Sequence, residues 1–240
     1  MSRCRLFIDT PLHVDRAVAL APEQSHYLRT VMRLAVGDTI TLCDGLGREG
    51  MAELTLLSRD RGECRTISVA VVDRELPLAV HIVQAANSSD KIETVLQKGT
   101  ELGAASFTIV NSERSQLQLP AHKVEDRLTR WRRIVLEAAE QSGRTRLPKV
   151  TWCPKLVQIE VSPIAWVLHP DAATSWNLVR DQVRACSDIT LAIGPEGGWS
   201  ARDLELLAEM GFRSLAFGPR TMRTETAAPA LLAAVLAVVD

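Results

Sequence analysis

The chain has 240 residues, 46% hydrophobic and 24% charged, with a formal net charge of −1 at pH 7; this exceeds a single domain of about 100–150 residues and excludes a disordered or fibrous chain. Near-neutrality excludes a nucleic-acid partner held by bulk charge alone. Five scattered cysteines with no CxxC pair argue for free buried thiols and no metal site, and no run of about 18 apolar residues offers a membrane span.

Over the first seventy residues, strand-like runs at 5–8, 39–43, 51–57 and 66–72 predict a small β-barrel or sandwich. A helix over 23–33 interrupts them, opened by Pro22, with Tyr27, Leu28, Val31 and Met32 at helical spacing. Asp44-Gly45-Leu46-Gly47 suits a hairpin loop. After Glu75-Leu76-Pro77 the pattern becomes strand then helix, repeated, as in a parallel α/β layer. The expected domains are therefore 1–73 and 74–240.

In the second domain, strands are expected at 78–84, 106–110, 164–168, 189–193 and 214–217. Helices are expected from Asp90 to Leu102, over 121–142 with Leu128, Trp131, Ile134, Val135 and Ala138 as the apolar stripe, and at 177–185, 200–210 and 224–239. Asp90 with Glu93 reads as a capping pair and Gly103 as a helix stop. Although the chain is near neutral, residues 123–149 hold eight basic and four acidic side chains, a local excess of +4. With no apolar run of signal-peptide length at the N-terminus, a cytoplasmic location is expected.

The last three strands run into His169-Pro170-Asp171, Gly194-Pro195-Glu196-Gly197-Gly198 and Gly218-Pro219-Arg220. Parallel sheets bind ligands at the carboxyl ends of their strands, so a site belongs here. The glycines permit close backbone approach to a flat ligand, and Glu196 can accept hydrogen bonds from hydroxyls or an amine. The plainer reading of the middle loop is a turn capping the helix at Ser200, with Asp203 in support. In the last loop capping accounts for Thr224 and Glu225 but leaves Arg220 and Arg223 at the positive end of a helix, where two cations suggest a binding task.

Five segments occur in order: Gln97-Lys98-Gly99-Thr100-Glu101-Leu102-Gly103, Ser112-Glu113-Arg114-Ser115, Glu137-Ala138-Ala139-Glu140-Gln141-Ser142-Gly143-Arg144, Ile193-Gly194-Pro195-Glu196-Gly197-Gly198 and Arg220-Thr221-Met222-Arg223-Thr224-Glu225-Thr226-Ala227. Together they resemble the signature series of the 16S ribosomal RNA uracil-N3 methyltransferases. Arg5-Leu6-Phe7, and His26 to Arg33 followed by Gly37-Asp38, resemble that family's N-terminal PUA-like RNA-binding domain.

The resemblance implies an α/β protein with a C-terminal SPOUT trefoil-knot domain, an exception to unknotted topology, and a PUA-like β-barrel at 1–73. It implies S-adenosylmethionine as cofactor, 16S rRNA of the small ribosomal subunit as partner, a homodimer and no membrane. Carried over by position, the cofactor pocket is Leu168, His169, Gly194, Glu196, Gly197, Leu215, Phe217, Gly218 and Met222. Phe217 stands where leucine is usual, Gly99 where alanine is usual, and Pro229 enters the last helix. Gly99 should cost its helix about 1 kcal/mol, and Pro229 is tolerable if it lies early enough to lack a helical N–H partner.

Attack by uracil N3 needs negative charge on O2 and O4 stabilised, which suits a fixed arginine. Arg223 and Arg114 are the candidates, with Arg220 as a structural or phosphate-binding alternative. Glu225 is the available base or the salt-bridge partner of Arg223, and Lys98 and Glu101 belong to the site or pair along a helix. Arg127, Arg130 and Arg133, with Arg144 and Arg146, offer contacts to rRNA phosphates or a solvated face, and Arg29 and Arg33 extend them. Trp131 reads as core. The target base must be unpaired or extruded. Methylation of a ribose 2′-hydroxyl or another base, and a non-catalytic assembly factor, are the alternatives.

Overall fold

The structure is a computed structural model that describes residues 4–239. Two compact units emerge: Met1–Glu75 with Ala139–Leu147, and Leu76–Ala138 with Pro148–Asp240. Residues 1–3 and 240 lie outside the described residues.

The first unit contains β1 (Arg5–Phe7), β2 (Ala17–Leu20), α1 (Pro22–Thr30), β3 (Thr39–Cys43), β4 (Arg48–Leu57) and β5 (Gly62–Val71). Its sheet runs β1-β3-β4-β5-β2, with β1 parallel to β3 and the other pairs antiparallel. Register shifts at Met51/Ala52 and Leu54/Leu56 bend the long β4–β5 ribbon, and the sheet curls over a core that includes Leu6, Leu28, Ile40, Leu42 and Leu54. The β3–β4 turn matches the sequence expectation. Gly45 and Gly47 have φ of 72° and 102°, and Asp44 Oδ1 accepts from Leu46 N at 2.9 Å and Arg48 N at 3.1 Å. The strand β2 was not expected, because Ala17 and Ala19 carry little strand propensity.

Helix α1 ends three residues early. Leu28 is fully buried, but Tyr27 and Val31 are 40% and 62% exposed, and Arg33 takes a left-handed φ of 56° that continued helix would forbid. In the same unit Arg5 and Arg74 both bond the Glu49 carboxylate, Glu140 accepts from Phe7 N at 3.2 Å, and Arg144 pairs with Glu75.

The second unit is a six-stranded, wholly parallel sheet in the order β11-β9-β10-β6-β7-β8. Its strands are β6 (Ala79–Ala85), β7 (Ser106–Val110), β8 (Lys149–Cys153), β9 (Ala165–Leu168), β10 (Asp188–Ile193) and β11 (Arg213–Leu215). Its helices are α2 (Ser89–Glu101), α3 (Val124–Ser142), α4 (Trp176–Arg184), α5 (Ala201–Glu209) and α6 (Thr224–Val239). The division between units falls inside α3. The edge strand β8 was not expected; Lys149 to Cys153 is short and half exposed, so its alternation is weak. Trp131 is fully buried on α3, as its place in the apolar stripe predicts.

After α2, Ala104 N bonds Gly99 O at 2.9 Å and Gly103 adopts φ 92°, a Schellman-type stop. Pro229 is the sixth residue of α6, and the ladder already starts with Ala227 N to Arg223 O at 3.0 Å. The proline therefore removes a ladder bond, the one to the Glu225 carbonyl, so the condition that it lie early enough to lack a helical N–H partner is not met. Among the described residues no helix is long and apolar enough to cross a membrane.

Candidate functional site

The carboxyl ends of β9, β10 and β11 open onto one cavity of about 1000 Å³, within the second unit. From the β9 loop come Leu168 and His169, from the β10 loop Gly194, Glu196 and Gly197, and from the β11 loop Phe217, Gly218 and Met222. These are the expected cofactor residues except Leu215. That side chain is fully buried in the sheet core; only its carbonyl is engaged, accepting from His169 N at 2.9 Å. Phe217 packs edge-on against Trp176, with ring centroids 5.9 Å apart.

A buried polar hub fixes this mouth. Thr224, the first residue of α6, donates to Gly194 O at 2.8 Å and accepts from Gln84 Nε2 at 2.9 Å and Asn87 Nδ2 at 3.1 Å. Asn87 Oδ1 in turn accepts from Glu196 N at 3.3 Å. Gln84, Asn87 and Thr224 are 1%, 1% and 6% exposed. Sequence reasoning read Thr224 as a cap and passed over Gln84 and Asn87, because nothing local marks a strand-end amide as the partner of a residue some 140 positions on.

Arg114 lines the cavity through a different device. Ser112 and Ser115 lock each other in a turn, with hydroxyls 2.9 Å apart and Ser112 N bonded to Ser115 Oγ at 3.0 Å. Glu113 N is held by Asp203, which also caps α5 in the expected box with Ser200. The guanidinium of Arg114 is thereby directed onto Gly197 O at 2.9 Å. It braces the β10 loop.

Arg220 and Arg223 line the same cavity and are exposed. Glu225 does not line it. Among the described residues its Oε2 is shielded from solvent with no hydrogen-bond partner, and no ion pair joins it to Arg223. Among the described residues Glu225 thus neither lines the cavity nor pairs with Arg223. The carboxylates that line the cavity are Asp171 and Glu196. Glu196 is paired with Lys91 of α2 and accepts from Gln116 Nε2 at 3.2 Å; Lys91 and Gln116 were not anticipated.

The basic stretch reads differently in three dimensions. Arg130 pairs with Glu93 at 2.8 Å, Arg132 with Glu125 at 2.7 Å and Arg133 with Glu137 at 2.8 Å, while Arg127 bonds the Ser89 hydroxyl. Counting charge along 123–149 omits Glu93, which α2 supplies. Arg144 is 5% exposed and bound to Glu75, so it is a structural arginine and not a phosphate contact. Arg29, Arg33 and Arg146 are exposed. Lys98 and Glu101 pair with each other at 2.9 Å and lie outside the cavity lining.

Among known proteins, residues 74–236 match the RNA methyltransferase domain family and residues 20–67 the RNA methyltransferase PUA domain. The chain is 32% identical to ribosomal RNA small subunit methyltransferase E of Bacillus subtilis, over 93% of this chain and 92% of that one. A Legionella pneumophila methyltransferase solved with its cofactor SAM superposes with a TM-score of 0.91, at 32% identity over 99% of this chain and 98% of that one. Ribosomal RNA small subunit methyltransferase E of Neisseria gonorrhoeae, bound to S-adenosyl methionine, gives 0.89 at 30% identity over 98% and 97%. With the three-loop cavity and both domain matches in place, the chain belongs to the RNA methyltransferase family, alongside the ribosomal RNA small subunit methyltransferases E.

Proposed function

We propose that this protein transfers a methyl group from S-adenosylmethionine to N3 of a uridine in 16S rRNA of the small ribosomal subunit. The observation that carries the reading is the convergence of three strand-end loops on one cavity lined by two arginines, Arg220 and Arg223, that join no ion pair among the described residues. The SAM-bound state of two relatives of nearly equal length supports the donor. The residues fit that group. The cavity falls within the usual size for cofactor sites, Leu168, Phe217 and Met222 give apolar surface for a purine, and Gly218 at φ 71° has nothing within 4 Å of where a Cβ would stand, leaving its backbone open to a ligand.

S-adenosylmethionine, when bound, supplies an activated methyl group on a sulfonium. The protein's own part is placement and charge. Arg223, in no ion pair among the described residues, lines the cavity to stabilise negative charge on uracil O2 and O4. Arg220 beside it suits a flanking phosphate. Arg114 acts on the loop and not on the base. Asp171 and Glu196 replace Glu225 as candidate proton acceptors. Arg29, Arg33 and Arg146 remain as exposed candidates for backbone phosphates.

The expected division into 1–73 and 74–240, the knot, the homodimer and a cytoplasmic location belong to the same reading. The knot accords with a parallel sheet whose last strand, β11, lies beside β9 while α6 returns to the β6 and β10 loops through Thr224. A dimer accords with α6, which is apolar on all sides and leaves Ala233, Leu236 and Ala237 exposed. Titration with S-adenosylmethionine, followed by assay of methyl transfer to small-subunit RNA, tests the reading; no donor binding at all would favour the assembly-factor alternative, and binding without transfer would point to another RNA.

A further inference from the structure

The cavity lining holds four cationic side chains, Lys91, Arg114, Arg220 and Arg223, against two carboxylates, Asp171 and Glu196. Glu196 is not a loose rim residue. Its Oε1 is paired with Lys91, its Oε2 accepts from Gln116 at 3.2 Å, and its backbone N is held by Asn87 at 3.3 Å. Lys91 is itself only 23% exposed at its side chain. Thus the carboxylate of the β10 loop is neutralised by a lysine from α2.

Resting on the functional reading above, we propose that Lys91 is a specificity-determining residue: by neutralising Glu196 it sets the balance between binding the methyl donor and binding its demethylated product. The two ligands differ by one methyl cation, hence by one unit of charge. S-adenosylmethionine carries a net positive charge at neutral pH and S-adenosylhomocysteine carries none. A cavity of about 1000 Å³ is about 10 Å across, comparable with a Debye length of about 8 Å at physiological salt, so any ligand held inside it feels the net charge of the pair. With Lys91 in place, the pair contributes little and the remaining cations disfavour the charged donor. Without it, a bare carboxylate favours the donor.

A purely structural tie between α2 and the β10 loop would weaken both ligands together when cut. Charge-setting has a different signature, which calorimetric affinities for S-adenosylmethionine and S-adenosylhomocysteine read directly. Lys91→Met should shift the ratio of the two affinities about threefold toward the donor, and Glu196→Gln about threefold toward the product. The double variant should return near the wild-type ratio, and Lys91→Arg should keep it. Each shift should shrink between about 0.05 M and 0.5 M salt, and thermal unfolding of the unliganded variants separates loss of fold from loss of charge. Parallel weakening of both ligands in Lys91→Met, or an unchanged ratio, overturns the proposal; a wild-type protein that binds neither ligand overturns the functional reading beneath it.

Discussion

The Thr224 hydroxyl donates to the Gly194 carbonyl at 2.8 Å, joining the start of α6 to the end of β10. Having one proton and two lone pairs, this hydroxyl is fully used, since it also accepts from Gln84 and Asn87. Thr224→Val keeps the shape but takes the hydroxyl donor from the Gly194 carbonyl and one acceptor from each of two buried amide groups, which keep their bonds to Ala85 O. It should cost about 2–4 kcal/mol in unfolding free energy and weaken S-adenosylmethionine binding, whereas Thr224→Ser should retain both. Denaturant titration and calorimetry check this; a Thr224→Val protein with wild-type donor affinity would show that the hub does not shape the cavity.

Arg223 and Arg114 line the same cavity but are expected to fail differently. Arg223 has no carboxylate partner among the described residues, so Arg223→Ala should lower kcat by about 10²–10³-fold with little change in donor affinity. Arg114 bonds Gly197 O, so Arg114→Ala should weaken donor binding first. Steady-state kinetics alongside direct binding separate the two. Near-normal turnover in Arg223→Ala would remove it from the chemistry.

Gly99 illustrates a helix position where the usual propensity argument inverts. A Cβ built there stands 2.6 and 2.7 Å from the Cε1 and Cζ atoms of Phe107, which is fully buried on β7. Gly99→Ala should therefore destabilise the protein by about 1–3 kcal/mol despite alanine's better helix propensity. Adding Phe107→Leu should recover part of the loss in thermal melts. Stabilisation by Gly99→Ala alone would contradict the packing.

Acid should weaken the first unit through Glu49. Hydrogen bonding from Arg74, aided by Arg5 and opposed by burial, brings its carboxyl from 4.5 down to about 2. A carboxyl lowered on folding contributes fully above its unfolded value and loses that contribution as pH falls toward the folded one. The stability difference between wild type and Glu49→Gln should be constant above about pH 5 and fade toward pH 2, with about 3 kcal/mol as its ceiling. Chemical denaturation across that range reads it, and a difference independent of pH would contradict the Arg74 pairing.

Much of this molecule was legible from its residues because the signals were local. The Asp44 to Gly47 turn, the Ser200 and Asp203 box, Trp131 in its stripe and the three strand-end loops each follow from neighbours in sequence. What escaped was non-local. Lys91 reaches Glu196 and Asn87 reaches Thr224 across more than a hundred positions. Glu93 cancels a charge on α3 that a count along the helix leaves standing. Glu225 shares a motif with Arg223 but not a place in the cavity lining.

The most direct test of the central claim incubates the purified protein with labelled S-adenosylmethionine and small ribosomal subunits from cells lacking the protein, then maps the label by mass spectrometry. The account predicts one methyl group on N3 of a single 16S rRNA uridine, lost in Arg223→Ala. Label on a ribose 2′-hydroxyl or on another base would contradict it.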